Sequence, residues 1–207
     1  KGTLYREDAL VVWAAKHLNK PVYWAADRTE SFLSDEHARA VSGSAVLGID
    51  DEGMFTSLWV EAKTDAGAYL SRRSKGLLNN IGGVAGQYRT PVIGAELYFY
   101  YTNTMQTSPY RGFGRPEATY IIERLIDKAA RQIGKDALAL RQRNLITPSQ
   151  MPYQTGLTYS YDCGDFPKIL VAAAKEADYQ GFYLRREQSK SRGLLRGIGI
   201  SNPIEVA

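Results

Sequence analysis

The feature that most constrains the fold is a run of apolar residues at helical spacing between residues 118 and 133. These residues recur at three- and four-residue intervals, which predicts an amphipathic helix over residues 117–133. The predicted apolar face consists of Ala118, Ile121, Ile122, Leu125, Ile126, Ala129, Ala130 and Ile133. The predicted polar face consists of Glu123, Arg124, Asp127, Lys128 and Arg131. Gly134 is placed to end the helix.

The segment before this helix is the densest group of special-purpose residues in the chain. Residues 109–118 read PYRGFGRPEA. Gly112 and Gly114 permit left-handed backbone, Arg111 supplies a planar donor fork, and Pro116 suits the first turn of a helix. Such a loop is able to cradle an anion or a cofactor at the helix N-terminus. A G-x-G before a helix is also a common tight turn, so this segment alone leaves both interpretations open.

Motifs in five successive segments of the chain resemble one enzyme family. Residues 110–118, YRGFGRPEA, resemble a segment of the molybdenum hydroxylases, which include xanthine dehydrogenase, aldehyde oxidase and carbon monoxide dehydrogenase. The other motifs are KPVYW, DRTE and HAR in residues 20–39, LRQRNLI in 140–146, YDCGDF in 161–166 and RGIGI in 196–200. The resemblance therefore covers nearly the whole chain, and it points to the large, molybdopterin-binding subunit.

The resemblance implies an oxidoreductase that hydroxylates an aldehyde or N-heteroaromatic carbon with water as the oxygen source. By position, Arg111 and Gly112 would offer backbone N–H groups to the cofactor, and Phe113 would stack on a flat substrate. The family's catalytic glutamate and its G-G-F-G loop have no counterpart in residues 1–207. The chain thus resembles an internal fragment, without a catalytic residue or a protein metal ligand, and is expected to be inactive alone.

Departures from the family patterns narrow the implied substrate. Carbon monoxide dehydrogenases carry a Cys in the loop where Gly112 and Phe113 stand, which disfavours oxidation of carbon monoxide. Purine hydroxylases carry a Glu after the lysine that corresponds to Lys1, and this chain has Gly2, which disfavours xanthine. A carbon monoxide dehydrogenase-like large subunit of unknown substrate and a non-catalytic structural module stay open as alternatives.

The resemblance also implies the cofactors and partners. The cofactor is expected to be molybdopterin in its cytosine dinucleotide form. Iron–sulfur clusters and FAD are expected on two partner subunits, an iron–sulfur subunit and an FAD subunit. The implied assembly is a dimer of heterotrimers that acts on a small molecule in the cytoplasm.

Composition is typical of a globular enzyme. The chain is 44% hydrophobic, and its apolar runs are short, so no membrane span is predicted. The single cysteine, Cys163, excludes an internal disulfide and any Cys-based zinc or iron–sulfur site. The charge of +4 comes from 26 basic and 22 acidic residues that alternate along the chain, as on an ordinary solvated surface. We therefore expect no nucleic-acid partner, although a basic, aromatic-rich nucleic-acid binder is a further alternative.

The pattern of elements predicts an α+β fold, with helices covering a mainly antiparallel sheet. Residues 41–50 and 54–69 alternate as an antiparallel hairpin, and 94–104 as another strand. Further predicted strands are 21–26 and 194–206, and further predicted helices are 7–18 (buried), 136–146, 166–177 and 179–190. Residues 71–91 are left unassigned. We divide the chain into a first molybdopterin-binding subdomain, 1–150, and the start of a second, 151–207.

Other polar residues have structural interpretations. His17 and His37 are too few and too far apart for a metal site. Asp27 and Asp165 each precede a predicted helix, where a carboxylate caps N–H groups. Cys163 replaces a Ser of the family pattern and is interpreted as structural.

Overall fold

The computed structural model describes residues 4–70 and 76–205. They form two compact units, Lys1–Glu36 and His37–Ala207. The division into subdomains 1–150 and 151–207 concerns a different boundary and stays a prediction.

The first unit contains helices α1 (Arg6–Leu18) and α2 (Arg28–Ser34). The carboxylate of Asp27 accepts a hydrogen bond from the Glu30 amide at 2.8 Å, so the predicted cap is confirmed. The prediction that residues 7–18 form a buried helix is wrong in one respect, because α1 buries no residue and Trp13 is 61% exposed.

The prediction of a strand over residues 21–26 is wrong, since this segment has no regular structure. Its aromatic and β-branched content favours extended backbone. A strand also needs a hydrogen-bonded neighbour, and within the described residues this segment has none.

The second unit is built on a three-stranded sheet of order β1-β2-β3, with β1 at Val41–Ile49, β2 at Phe55–Gly67 and β3 at Val92–Tyr101. Strands β1 and β2 form the predicted antiparallel hairpin, closed by a hydrogen bond from the Gly53 amide to the Asp50 carbonyl at 3.0 Å. Strand β3 pairs with β2 in parallel. A parallel neighbour needs a crossover, and residues 68–91 provide it.

The crossover contains a short helix α3 (Gly76–Asn79) and a 3₁₀ turn at Ile81–Ala85. These elements lie in the region that the sequence left unassigned, and residues 71–75 of it are outside the described residues. The remaining elements are α4 (Arg115–Gln132), α5 (Ala137–Asn144), a 3₁₀ turn (Pro148–Gln150), β4 (Tyr153–Gln154), β5 (Ser160–Tyr161), α6 (Phe166–Glu176) and α7 (Phe182–Lys190).

The α+β class is confirmed. Helix α4 begins two residues before its predicted start and ends one residue before its predicted end, and α5, α6 and α7 are present at slightly shorter bounds than predicted. The predicted strand over residues 194–206 is wrong, because residues 194–205 have no regular structure. Alternation alone does not make a strand when the segment has no partner in a sheet. None of the described helices is both long and apolar enough to cross a membrane.

Helix α4 packs its apolar face against the sheet and so positions the loop before it. Ile122 and Ile126 are fully buried in one cluster with Leu58 and Val60 of β2. The predicted apolar face is buried at Ala118, Ile122, Ile126, Ala129 and Ala130, is partly buried at Ile121 and Leu125, and is exposed at Ile133. The placement of Glu123 on the solvated polar face is wrong, because its side chain is buried, where it forms an ion pair with Arg141.

Candidate functional site

The loop before α4 has an unusual backbone. Gly112, Phe113 and Gly114 are consecutive and all left-handed, with φ values of 95°, 44° and 91°. For Phe113 this conformation is strained, because its Cβ crowds the backbone there. Two internal hydrogen bonds fold the loop into successive turns, from the Phe113 amide to Tyr110 at 2.9 Å and from the Arg115 amide to Gly112 at 3.0 Å. Such strain persists only where surrounding contacts hold it.

Asn80 is one of the groups that hold the loop. Its side-chain amide donates a hydrogen bond to the carbonyl oxygen of Phe113, and its side-chain oxygen accepts one from the Tyr159 hydroxyl at 3.0 Å. Asn80 is only 6% exposed. A buried and doubly bonded amide has one orientation, so it fixes the carbonyl of Phe113 in place.

Arg39 holds the other side of the loop. Its guanidinium donates to the carbonyl oxygen of Arg111, lies 3.6 Å (Nε) from a carboxylate oxygen of Glu117, and sits 5.1 Å above the ring of Tyr110. A planar, always-charged fork suits three such partners, and a lysine ammonium does not. Arg39 therefore links the start of the loop to the first turn of α4.

Close backbone packing explains the second glycine of the loop. The backbone of Gly114 lies against that of Gly76, and a Cβ at position 114 would collide with the Gly76 carbonyl oxygen. Gly114 is therefore required both for its left-handed backbone and for this approach.

The loop presents two kinds of group to its surroundings. Arg111 is exposed, and Phe113 is half-buried and lies outside the core cluster. The backbone N–H groups of Arg111 and Gly112 form no hydrogen bond with any residue that the structure describes. The loop thus offers two adjacent unpaired donors beside an aromatic ring, which suits a ligand with oxygen acceptors and a flat face.

The LRQRNLI motif, residues 140–146, is structural. The fully buried Arg141 forms an ion pair with Glu123 at 2.9 Å and with Asp127 at 2.8 Å, and donates to the Ile200 carbonyl at 3.1 Å. Burial by itself lowers the pKa of Arg141, but the carboxylates outweigh it and raise that pKa. This network fastens α4, α5 and the segment near residue 200 together.

Tyr88 and Asn144 extend this buried polar layer. Tyr88 donates to Glu123 at 2.6 Å, and burial, followed by the charge of that carboxylate, raises the pKa of Tyr88 well above its ordinary value. The side chain of Asn144 accepts from the Phe55 amide and donates to the Gly53 carbonyl, both at 2.8 Å. Asn144 therefore fixes the β1–β2 turn to α5.

The YDCGDF motif, residues 161–166, is structural as well. The Tyr161 hydroxyl donates to the Gly86 carbonyl at 2.7 Å, and Asp165 caps α6 by accepting from the Lys168 amide at 3.1 Å, as predicted. Cys163 is exposed, and a hydrogen bond with Asp162 raises the pKa of its thiol. A cysteine at the surface is not part of the core, so the structural interpretation of Cys163 gains no support from packing.

Among residues 4–70 and 76–205, no group of three or more His, Cys, Asp and Glu side chains is arranged to hold a metal ion.

The sequence pattern revealed the loop but not two of the residues that hold it. Arg39 appeared only as part of a motif, and nothing in the sequence pattern singled out Asn80, which acts across 33 residues. Such contacts become visible only when the fold brings distant segments together.

Comparison with known proteins places this chain in a family. The family model for the molybdopterin cofactor-binding domain matches residues 1–145. The chain is 32% identical to the gamma subunit of the 6-hydroxypseudooxynicotine dehydrogenase complex of Paenarthrobacter nicotinovorans, over 97% of this chain and 26% of that protein. It is 30% identical to the carbon monoxide dehydrogenase large chain of Hydrogenophaga pseudoflava, over 100% of this chain and 26% of that protein.

A solved structure agrees with these matches. Quinoline 2-oxidoreductase from Pseudomonas putida 86 superposes with a TM-score of 0.83 at 29% identity, over 92% of this chain and 25% of that chain. The chain thus spans about a quarter of the length of the relatives it matches. The resemblance inferred from the motifs is confirmed: the chain belongs to the molybdopterin cofactor-binding domain family and corresponds to part of the large subunit of the molybdenum hydroxylases.

Proposed function

We propose that this chain forms part of a molybdenum-dependent hydroxylase and presents the loop at residues 111–113 to the molybdopterin cofactor. The observation that carries the proposal is that the backbone N–H groups of Arg111 and Gly112, in a firmly held loop, have no hydrogen-bond partner in residues 4–70 and 76–205. Amide donors that are fixed before binding need no reorganisation when they meet an oxyanion. When bound, the cofactor would supply the redox chemistry: oxygen from water would replace a hydrogen on a substrate carbon, and the cofactor would take up the two electrons released.

The groups around the loop preserve this arrangement. Asn80 and Arg39 each donate a hydrogen bond to a carbonyl oxygen of the loop, at Phe113 and Arg111 respectively, so both of these acceptors already have a protein partner. The amides that remain free are donors only, which favours cofactor oxygens over cations. The site therefore fits molybdopterin through its backbone and not through side-chain metal ligands.

We propose that Phe113 binds the substrate. Its ring is half-buried and lies outside the core cluster, so it is available to stack. A flat aromatic substrate gains from an offset stack on a phenyl ring, and a small aliphatic molecule does not.

The substrate class that we propose is an aldehyde or an N-heteroaromatic compound. Two of the relatives are named for 6-hydroxypseudooxynicotine and for quinoline, and the second is an N-heteroaromatic compound. Gly112 and Phe113 occupy the loop positions where the carbon monoxide dehydrogenase pattern has a cysteine, which supports the same choice.

We also propose the finer features of the assembly. These are the cytosine dinucleotide form of the cofactor, an iron–sulfur subunit and an FAD subunit as partners, a dimer of heterotrimers, and a cytoplasmic location. The names of the relatives support a multi-subunit enzyme, since one is a gamma subunit of a complex and another a large chain. We retain the division into subdomains 1–150 and 151–207 as a proposal.

The experiment is a Phe113→Ala variant in the full-length subunit assembled with its partners. We expect kcat/KM for an N-heteroaromatic substrate to fall on the order of 10²-fold, because a misplacement of about 1 Å costs that much. Efficiency with a small aliphatic aldehyde should fall less, and molybdenum content should stay normal. Tyr183→Ala, which removes an exposed ring on α7, is the control. Equal losses for both substrate classes, with a lower Tm, would contradict the stacking role.

A further inference from the structure

A small cavity lies beneath the loop. Its volume is about 20 Å³, and its walls come from β2, the start of α3, the loop and the first turn of α4. Thr64 of β2 and Glu117 of α4 are on these walls, as are Gly76 and Gly114. The cavity therefore sits where the loop is joined to the sheet.

Two of the residues that line this cavity each have a side-chain oxygen that is unsatisfied within the described part of the chain. Thr64 Oγ1 and Glu117 Oε2 are both buried, and neither has a hydrogen-bond partner among the described residues. Thr64 is 7% exposed. Buried polar side chains in folded proteins nearly always have a partner, either protein or ordered water. Two unsatisfied oxygens that share one cavity therefore point to a common ligand.

We propose that this cavity is a binding site for one ordered water molecule that bridges Glu117 Oε2 and Thr64 Oγ1. A buried water needs a cavity of roughly 10–15 Å³ and two to four polar partners, and this cavity meets both needs. A carboxylate oxygen only accepts, so the water donates one hydrogen to Glu117. The water then forms a second hydrogen bond with the Thr64 hydroxyl. The water donates its other hydrogen to Thr64 Oγ1, or its oxygen accepts the hydroxyl hydrogen.

The water completes an anchor with two sides. Glu117 Oε1 faces the guanidinium of Arg39 at 3.6 Å, and Arg39 donates to the carbonyl of Arg111. Through Oε2 and the water, the same carboxylate is tied to β2. Glu117 is thus a positioning residue for the loop, since it joins the Arg39 contact to the sheet. The water site stands whether or not the loop binds a cofactor.

The direct test is a high-resolution crystal structure of the full-length subunit, assembled with its partners, and of its Thr64→Val variant. We expect one water within about 2.7–3.2 Å of both oxygens in the native chain, and none there in the variant. An empty cavity overturns the proposal. So does a direct bond between the two side chains, or another protein group that occupies the site.

Magnetic relaxation dispersion of water nuclei gives a second, crystal-free test by counting long-lived internal waters. We expect one fewer in Thr64→Val, and no change in Thr155→Val, whose buried hydroxyl already has a protein partner in the Tyr159 carbonyl at 2.7 Å. An unchanged count in Thr64→Val contradicts the site.

Two variants of Glu117 test its positioning role. Glu117→Gln retains an acceptor for Arg39 and an amide that bonds to water, so hydrogen exchange at the Phe113 and Arg115 amides, whose hydrogen bonds fold the loop, should stay near native. Glu117→Leu loses both contacts, and exchange at these amides should rise by tenfold or more. Equal exchange rates in both variants would show that the anchor does not position the loop.

Discussion

The buried charge of Arg141 makes the sharpest prediction about stability. Its guanidinium is completely buried, and it bonds to the Glu123 carboxylate, whose side chain is 6% exposed. Replacing Arg141 by Met fills the space but leaves the charge of Glu123 buried without its cation. Removing one partner of a buried ion pair costs about 3–5 kcal/mol. That is a large share of the roughly 5–15 kcal/mol by which a domain is stable.

Urea unfolding followed by circular dichroism measures this loss in the 207-residue chain. For a chain of this length, about 3–5 kcal/mol corresponds to a fall in Tm of roughly 6–20 °C. The matched control is Arg143→Met on the same helix. Arg143 pairs with Glu52 at 2.7 Å, but the two side chains are 44% and 75% exposed. An exposed pair contributes at most about 1 kcal/mol, so this variant should be nearly native.

A double variant separates the charge from the packing. Adding Glu123→Gln to Arg141→Met removes the uncompensated charge, and the amide oxygen still accepts from Tyr88. We therefore expect the double variant to recover part of the lost stability. If Arg141→Met and Arg143→Met cost the same small amount, or the second substitution causes a further full loss, the reasoning from burial is wrong.

Three further predictions concern the core, the loop and pH. Ile122→Ala should cost about 2–5 kcal/mol in urea unfolding, because Ile122 is 1% exposed, and Ile133→Ala, at 41% exposed, much less. Gly114→Ala should lower Tm far more than Gly134→Ala: both have positive φ, but a Cβ at 134 meets nothing within 4 Å, whereas at 114 it meets backbone. Burial raises the pKa of Tyr161, so the folded chain keeps a proton that the unfolded chain releases. The buried, neutral phenol of Tyr161 makes its full contribution to the free energy of unfolding below about pH 10, and that contribution is lost as pH rises towards the pKa of the folded state. A Tyr161→Phe variant should therefore lose less stability than the native chain over that pH range.

Short-range patterns predicted the elements with local signals. The apolar spacing of α4 and the turn at residues 51–53 depend on neighbours within a few residues, and both predictions are confirmed. The same holds for the caps at Asp27 and Asp165. Propensity and spacing determine such features almost independently of the rest of the fold.

Features that depend on distant partners were missed. Glu123 was placed on the polar face because helical spacing does not reveal Arg141, 18 residues further on. Residues 21–26 and 194–205 have strand-like composition, yet pairing in a sheet decides whether a segment is a strand, and neither is paired within the described residues. The loop at 110–114 was found as a motif, whereas its contacts with Arg39 and Asn80 were not, since each spans more than 30 residues.

We propose that the backbone of this loop holds the molybdenum cofactor. An experimental structure of the full-length subunit, assembled with its partners and loaded with cofactor, tests it most directly. We predict hydrogen bonds of about 2.7–3.2 Å from the amides of Arg111 and Gly112 to oxygen atoms of the cofactor, with the Phe113 ring facing the substrate space. A cofactor bound away from residues 111–113, or these two amides bonded to other protein groups, would contradict it.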